Sequence, residues 1–228
     1  MTLPRIVSRE EWVAARKQLL AKEKELTRAR DALSAERRRL PVVEIERDYA
    51  FDGPGGRATL LDLFEGRRQL IIDHYMFDPS WDEGCASCAG RVEQYGNLAY
   101  LHARDTTMAV VSRAPLDKIE PFKARRAWTF PWYSSYGSDF NYDFHVTLDE
   151  RVTPIEYNYR TRAGWERAGS PLDFEQPFEL HGTSCFLRDG HRVFHTYSTY
   201  ARGTEQVGGT HYYLDMTALG RQEAWEER

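Results

Sequence analysis

Hydrophobic and polar positions divide the chain into two textures. From Arg9 to Arg39 there is no Gly or Pro, and Ala, Leu, Glu, Lys and Arg dominate, all residues that lose little on entering a helix. Ser8 followed three residues later by Glu11 reads as a capping box, each side chain satisfying a free backbone N–H of the first turn. Pro41 stops the pattern. Trp12, Leu19, Leu26, Leu33 and Leu40 recur at every seventh position, while Ala15, Lys22, Ala29 and Glu36 between them are small or charged. This is half of a coiled-coil seam. Three arrangements suit such a helix: laid along its own domain, reaching over a second subunit, or a free coiled coil. A homodimer through this helix is the expectation.

After Pro41 the period shortens. Val42–Ile45 and Tyr49–Phe51 read as short strands, with a Gly53-Pro54-Gly55-Gly56 turn behind them. Leu60–Phe64 reads as a helical turn ended by Gly66. The apolar run from Gln69 to Phe77 suits a strand buried on both faces, as in a parallel sheet. A helix is predicted from about Cys88 to Ala103, a buried strand over Thr107–Val111, and a helix over Pro115–Arg126. Strands follow at Val146–Leu148, Cys185–Leu187 and Arg192–Tyr197, the last two joined at a strong hairpin signal, Asp189-Gly190. This succession predicts an α/β domain with a mixed sheet flanked by helices. The boundaries are a helical extension over 1–40 and a single domain over 41–228.

Composition narrows the function classes. Net charge is -4 and aromatics make up 13%, so a large core is affordable and neither nucleic acid nor an anionic membrane surface is the expected partner. No stretch approaches the about 18 apolar residues of a membrane span. The first nine residues lack the apolar segment of a secretory signal. Three cysteines in 228 residues do not make a disulfide framework. The expected compartment is the cytoplasm, where a close cysteine pair more often does chemistry than holds a fold together.

That pair is Cys85-Ala86-Ser87-Cys88, between a buried strand and a helix. A thiol at a first helical turn faces unpaired N–H groups and the positive end of the dipole, which favour thiolate. Cys85 is the expected nucleophile and Cys88 the resolving thiol. Gly84 lets the chain turn, Trp81 can shield the site, and His74 or Asp73 could accept the proton of Cys88, although a satisfied core histidine is the stronger reading of His74. A zinc half-site and two inert thiols are the competing readings. Zinc needs four ligands, and only Cys185 and scattered histidines remain, so neither metal nor cofactor is expected. His191 and His195 fall in a strand, where four residues span about 13 Å, too far to share one metal.

Trp128–Phe144 is nearly half aromatic. It is either a loop packing its rings on the sheet edge or the wall of a pocket. In the second case Trp128, Trp132 and Tyr133 would supply apolar surface, and Ser134, Ser135, Asp139 and Asn141 would orient a ligand.

The segments FDPSWDEGCASC, AVVSRAPLDKIEPFKARRAWTFPWYSSYGSDFNYDF, FLRDGHRVFHTYSTYARG and YYLDMTALGRQE together resemble the bacterial family called domain of unknown function 899. That family is similar in fold to thioredoxins and alkyl hydroperoxide reductases. The resemblance implies a thioredoxin-like fold and a Cys-x-x-Cys site at Cys85 and Cys88. Ala86 stands where family members usually carry Pro, and Ala218 replaces another. Thioredoxins place a cis-proline before the strand facing their cysteines. The matching stretch here, His181-Gly182-Thr183-Ser184-Cys185, has none, and it would bring Cys185 near the pair as a third redox partner. The Thr or Ser three residues before a peroxidatic cysteine, and the Pro seven before it, are also missing, because Cys85 is preceded by Asp82 and Asp78. The strand–Cys-x-x-Cys–helix context, and not the resemblance, points to thiol–disulfide exchange on a disulfide-bearing substrate or a small thiol. The alternatives are a binding module whose cysteine pair is a structural or redox-sensing lock, and a peroxidase acting by a non-standard route.

Overall fold

A computed structural model describes residues 5–207. The YYLDMTALGRQE segment and Ala218 lie outside the described residues. Two compact units divide between Pro41 and Val42. In the first, helix α1 (Arg9–Arg37) opens on the capping box, with Ser8 Oγ accepting from the Glu11 N–H and Glu11 Oε2 accepting from the Ser8 N–H. No residue of α1 is buried. The heptad residues Trp12, Leu19, Leu26, Leu33 and Leu40 are each 45% to 52% exposed, an apolar stripe on a charged helix. No helix among the described residues is long and apolar enough to cross a membrane.

The second unit begins with strands β1 (Val43–Glu44), β2 (Ala50–Gly53) and β3 (Gly56–Thr59), then a 3-10 turn at Asp62–Phe64. Strand β4 (Gln69–His74), helices α2 (Ala86–Val92) and α3 (Ala99–His102), and strand β5 (Thr106–Ser112) follow. The single helix expected from Cys88 to Ala103 is thus two helices. Gly96-Asn97 breaks it, and Asn97 Oδ1 accepts from the Ala99 N–H at 2.8 Å to start the second. Next come α4 (Leu116–Arg125), β6 (Trp132–Ser134), α5 (Phe140–Asp143), β7 (Thr147–Leu148), β8 (Glu156–Tyr157), β9 (Arg160–Thr161), α6 (Arg162–Arg167) and β10 (Phe178–Glu179). The hairpin of β11 (Gly182–Asp189) and β12 (Arg192–Tyr200) and a 3-10 helix over Ala201–Val207 close the described chain.

Eight strands form one mixed sheet in the order β1-β12-β11-β4-β5-β6-β2-β3. At its centre β4 and β5 run parallel, as do β5 and β6, while β11 lies antiparallel to both β4 and β12. The order β12-β11-β4-β5, with the cysteine helix in the crossover between the two parallel strands, is thioredoxin-like. Every residue of β5 is buried, as a strand covered on both faces requires.

Period-two alternation sends neighbouring residues to opposite faces. Leu70, Ile72, Ala109 and Val111 enter one core with Phe51, Phe140, Phe144 and Phe186. Tyr75, Val110 and Trp132 enter the other, with Phe77, Phe122, Cys88, Ala89 and Val92. The cysteine helix is thereby packed on the second face.

Candidate active site

Beyond His74 the chain leaves the sheet along Tyr75–Trp81, and this loop is held from several sides. Lys118 Nζ donates to the carbonyls of Pro79 and Trp81 at 2.7 and 2.8 Å. Arg113 bridges Asp78 and the buried Glu179. Asp78 in turn accepts from the Ser80 N–H and hydroxyl. Trp81 packs half-buried on the second core, as does Cys85. Tyr75 is buried between this loop and the helix, and its hydroxyl donates to the Cys85 carbonyl at 2.8 Å. A Cβ on Gly84 would lie 2.6 Å from the Tyr75 ring. Close approach, rather than a positive φ, is therefore what this glycine supplies.

Cys85 is the N-cap of α2, so the helix begins at Ala86, two residues earlier than expected. The Cys85 N–H donates to the Met76 carbonyl at 3.0 Å, tying the helix start to the loop leaving β4. Both cysteines are free thiols; Cys85 is half-exposed and Cys88, one turn on, is buried. The Cys85 thiol is pulled down to about 5, first by a hydrogen bond from the Cys88 thiol and then, against its own partial burial, by the Ser87 hydroxyl 3.1 Å away. The N–H groups of Ser87 and Cys88 face the sulfur and add to this without closing a formal cap bond. Cys88 moves the opposite way, because it holds the proton shared with Cys85 and because it is buried; Arg91, on the next turn, partly offsets this. One exposed thiolate and one buried thiol are what attack and resolution require.

The proton-acceptor candidates separate by face. Asp73 lies under α2 and receives Arg91 Nη2 at 2.6 Å together with the Tyr95 hydroxyl. Arg91 Nη1 also reaches Thr204 Oγ1 at 3.2 Å. His74 points to the opposite face, so of its two readings the proton acceptor for Cys88 is ruled out and the core histidine remains. Its ring lies against Phe140 and Phe144, and its Nε2 is 2.8 Å from Ser184 Oγ. Ser184 Oγ meets Ser198 Oγ at 2.7 Å, and Ser198 Oγ meets His195 Nε2 at 2.7 Å. His74 is a core histidine, held neutral by burial.

Cys185 is also corrected. Its register partner is Ile71, three residues before His74, so it sits about 10 Å down the strands from the end that carries the pair. It is half-buried.

Most of the aromatic stretch packs into the core rather than walling a pocket. Trp132 is fully buried at the centre of a ring cluster with Tyr75, Phe122, Trp128 and Phe130. Tyr133 packs over Gly53 on the other side of the sheet. Ser134 donates to the Ala114 carbonyl, and Ser135 donates to Asn141, both buried. Asp139 is exposed and paired with Arg47, beside a polar depression of about 280 Å³ that also includes Tyr49 and Ser138. Trp128, Phe130 and Trp132 thus pack with Tyr75 in the core that carries Cys88, whereas Tyr133, Phe140 and Phe144 belong to the opposite core.

The cleft lies elsewhere. A cavity of about 660 Å³ opens beside Cys88, lined by Ser87, Cys88 and Arg91 of the cysteine helix together with His181, Ala201 and Thr204. Sequence reading named none of Ser87, Arg91, His181 and Thr204 as site residues. Arg91 could have been found, because it lies three residues after Cys88 and so shares its helix face. Among the described residues no group of three or more His, Cys, Asp or Glu could hold a metal ion.

One family model, described as bacterial protein of unknown function (DUF899), matches residues 1–228. The chain belongs to this family. The whole-chain match takes in the helical extension as well as the Cys-x-x-Cys domain. No curated protein matches in sequence. Among solved structures, a mutant of Xylella fastidiosa PrxQ is similar over 70% of this chain and 84% of its own, at 15% identity and a TM-score of 0.44. Peroxidoxin BcpB from Mycobacterium tuberculosis covers 71% and 89%, at 13% identity and 0.41. A putative thiol:disulfide interchange protein DsbE from Chlorobium tepidum covers 74% and 93%, at 14% identity and 0.36. At these scores no reaction follows from the likeness; the fold assignment stands on the family chain's own strand order.

Proposed function

We propose that the protein is a thiol–disulfide oxidoreductase. The observation carrying this reading is the split between the two thiols. Cys85 is half-exposed at a helix start with its pKa drawn down to about 5, and Cys88 is buried behind it with its proton retained. At neutral pH Cys85 is a thiolate. It attacks one sulfur of a substrate disulfide; that S–S bond breaks, the distal sulfur leaves with the electron pair, and a mixed disulfide forms. Cys88 then loses its proton and attacks Cys85 Sγ, releasing the second substrate sulfur and closing Cys85–Cys88. Two electrons pass to the substrate, and a dithiol donor restores the protein. The Tyr75 and Met76 contacts to Cys85, and the Lys118 and Arg113 contacts to the loop, support this reading by fixing the nucleophile relative to the sheet.

A stabilised thiolate favours the reduced form and makes the pair more oxidising. Equilibration in graded dithiol buffers, followed by alkylation and mass analysis, is expected to give a reversible two-electron transition. Its midpoint should lie between about −120 and −270 mV, toward the less negative end. Cys85→Ser should abolish disulfide reduction. A pair still oxidised below about −300 mV, or one that never closes, contradicts the reading.

A further inference from the structure

Resolution needs a base. Cys88 keeps its proton while Cys85 is free, and it must lose that proton to attack the mixed disulfide. Asp73 is already taken by Arg91 and Tyr95, and His74 faces away. Three other groups able to take a proton line the cleft with Cys88, namely Glu93, Glu205 and His181; Glu93 is paired with Arg126 and Glu205 with Arg202, which leaves the imidazole.

Its placement follows from the sheet. Gly182 pairs with His74 in the β11–β4 register, so His181 stands one residue further on, at the end of the sheet from which the cysteine loop leaves. Thr183 pairs with Asp73, and alternation puts His181 on that same face, under α2. The backbone there is held firmly. A Cβ on Gly182 would come within 2.8 Å of the Tyr200 ring, and the Tyr157 hydroxyl donates to the His181 carbonyl at 3.2 Å. The imidazole is oriented too, with Nε2 lying 3.3 Å from the Ala201 carbonyl oxygen. A carbonyl can only accept, so Nε2 carries the hydrogen and the neutral ring keeps its lone pair on Nδ1.

Resting on the oxidoreductase reading, we propose that His181 is the general base of the resolving step, taking the Cys88 proton at Nδ1 and returning it to the departing substrate sulfur. The step balances. The Cys88 sulfur forms a bond to Cys85 Sγ as the bond from Cys85 to substrate breaks, and the substrate sulfur leaves with that electron pair. The proton passes from Cys88 to Nδ1 and then to the leaving thiolate, which returns His181 to its starting state. The base must be neutral at the outset, and burial, reinforced by Arg91, keeps His181 below the ordinary imidazole range. The Ala201 bond, Asp73 and Cys85 act in the opposite direction. Glu93, Arg202 and Glu205 complete the charged lining of the cleft.

The test uses the chromogenic disulfide dithio-bis-nitrobenzoate with the reduced full-length protein in stopped flow. Attack by Cys85 releases one nitrothiolate, and resolution by Cys88 releases a second. For the wild type the second phase is expected to be flat with pH above the ordinary imidazole range. His181→Asn should leave the first phase within about twofold and slow the second about 100-fold at neutral pH. Its second phase should then rise about tenfold per pH unit as Cys88 itself ionises. In His181→Ala, added imidazole should restore the second phase. A second phase at wild-type speed in His181→Asn, equal slowing of both phases, or no response of His181→Ala to imidazole overturns the inference alone. A wild type that releases no nitrothiolate overturns the oxidoreductase reading and this inference with it.

Discussion

Asp73 and His74 are neighbours on one strand, both buried and both polar, yet they inhabit different chemistries. Under α2, Asp73 is compensated by a guanidinium and a phenol, and that cluster abuts Cys88 through Arg91. On the other face, His74 joins an uncharged chain through Ser184 and Ser198 to His195, walled by phenylalanine rings. One face holds charge next to the thiols, whereas the other excludes it. Burial and proximity in sequence therefore do not single out a functional residue; the face of the strand does.

The contrast can be broken most forcefully at Arg91. Arg91→Met leaves a buried carboxylate without its cation, and removing one partner of such a pair costs about 3–5 kcal/mol. Urea unfolding monitored by tryptophan fluorescence should show that loss, and an unchanged midpoint would mean the pair contributes nothing. On the opposite face, His74→Gln should cost about 1–2 kcal/mol at neutral pH through the lost bond to Ser184, with the cysteine midpoint potential unchanged. A shifted potential would erase the distinction between the faces. His74 also makes stability pH-dependent. Burial lowers its folded-state pKa to about 3, whereas the unfolded chain takes up the proton near 6.5. Between those values the unfolded state binds the extra proton, so this contribution is complete above the upper value and is lost as pH falls toward the lower one. The slope reaches about 1.4 kcal/mol per pH unit, and His74→Gln should flatten it in urea titrations at neutral and mildly acidic pH. A smaller effect is expected at Ser87, where Ser87→Ala removes one of the bonds to the Cys85 sulfur. It should raise the thiol pKa by about one unit or less, read from alkylation rate against pH. Smallest is Cys185→Ala, far down the strands, which should leave the rate and potential of the pair untouched.

Much of this was legible in the sequence because local signals and tertiary structure agree. The apolar run into Cys85, the helix behind it and the Asp189-Gly190 hairpin mark the central elements of the mixed sheet, while the strand order comes from the pairing. The site was legible only in part. Period-two alternation already separates Asp73 from His74, but which face carries the cysteine helix depends on how the chain turns after Phe77. Cys185 is near the pair in the matching motif and remote in register, a distinction only strand pairing makes. The aromatic stretch left two readings open, because rings suited to a pocket wall are equally suited to packing on the sheet. His181 carried no local signal, since its meaning comes from sharing with Cys88 a cleft built by segments nearly a hundred residues apart.

The most direct test of the central claim is the rate of Cys85 alkylation by iodoacetamide as a function of pH, with the modified residue assigned by mass. A thiolate held by Cys88 and Ser87 predicts a half-maximal rate near pH 5 and a plateau through neutrality, with Cys88 unmodified. A curve that rises only toward 9.0, the ordinary value for this thiol, or equal labelling of the two cysteines, would contradict it.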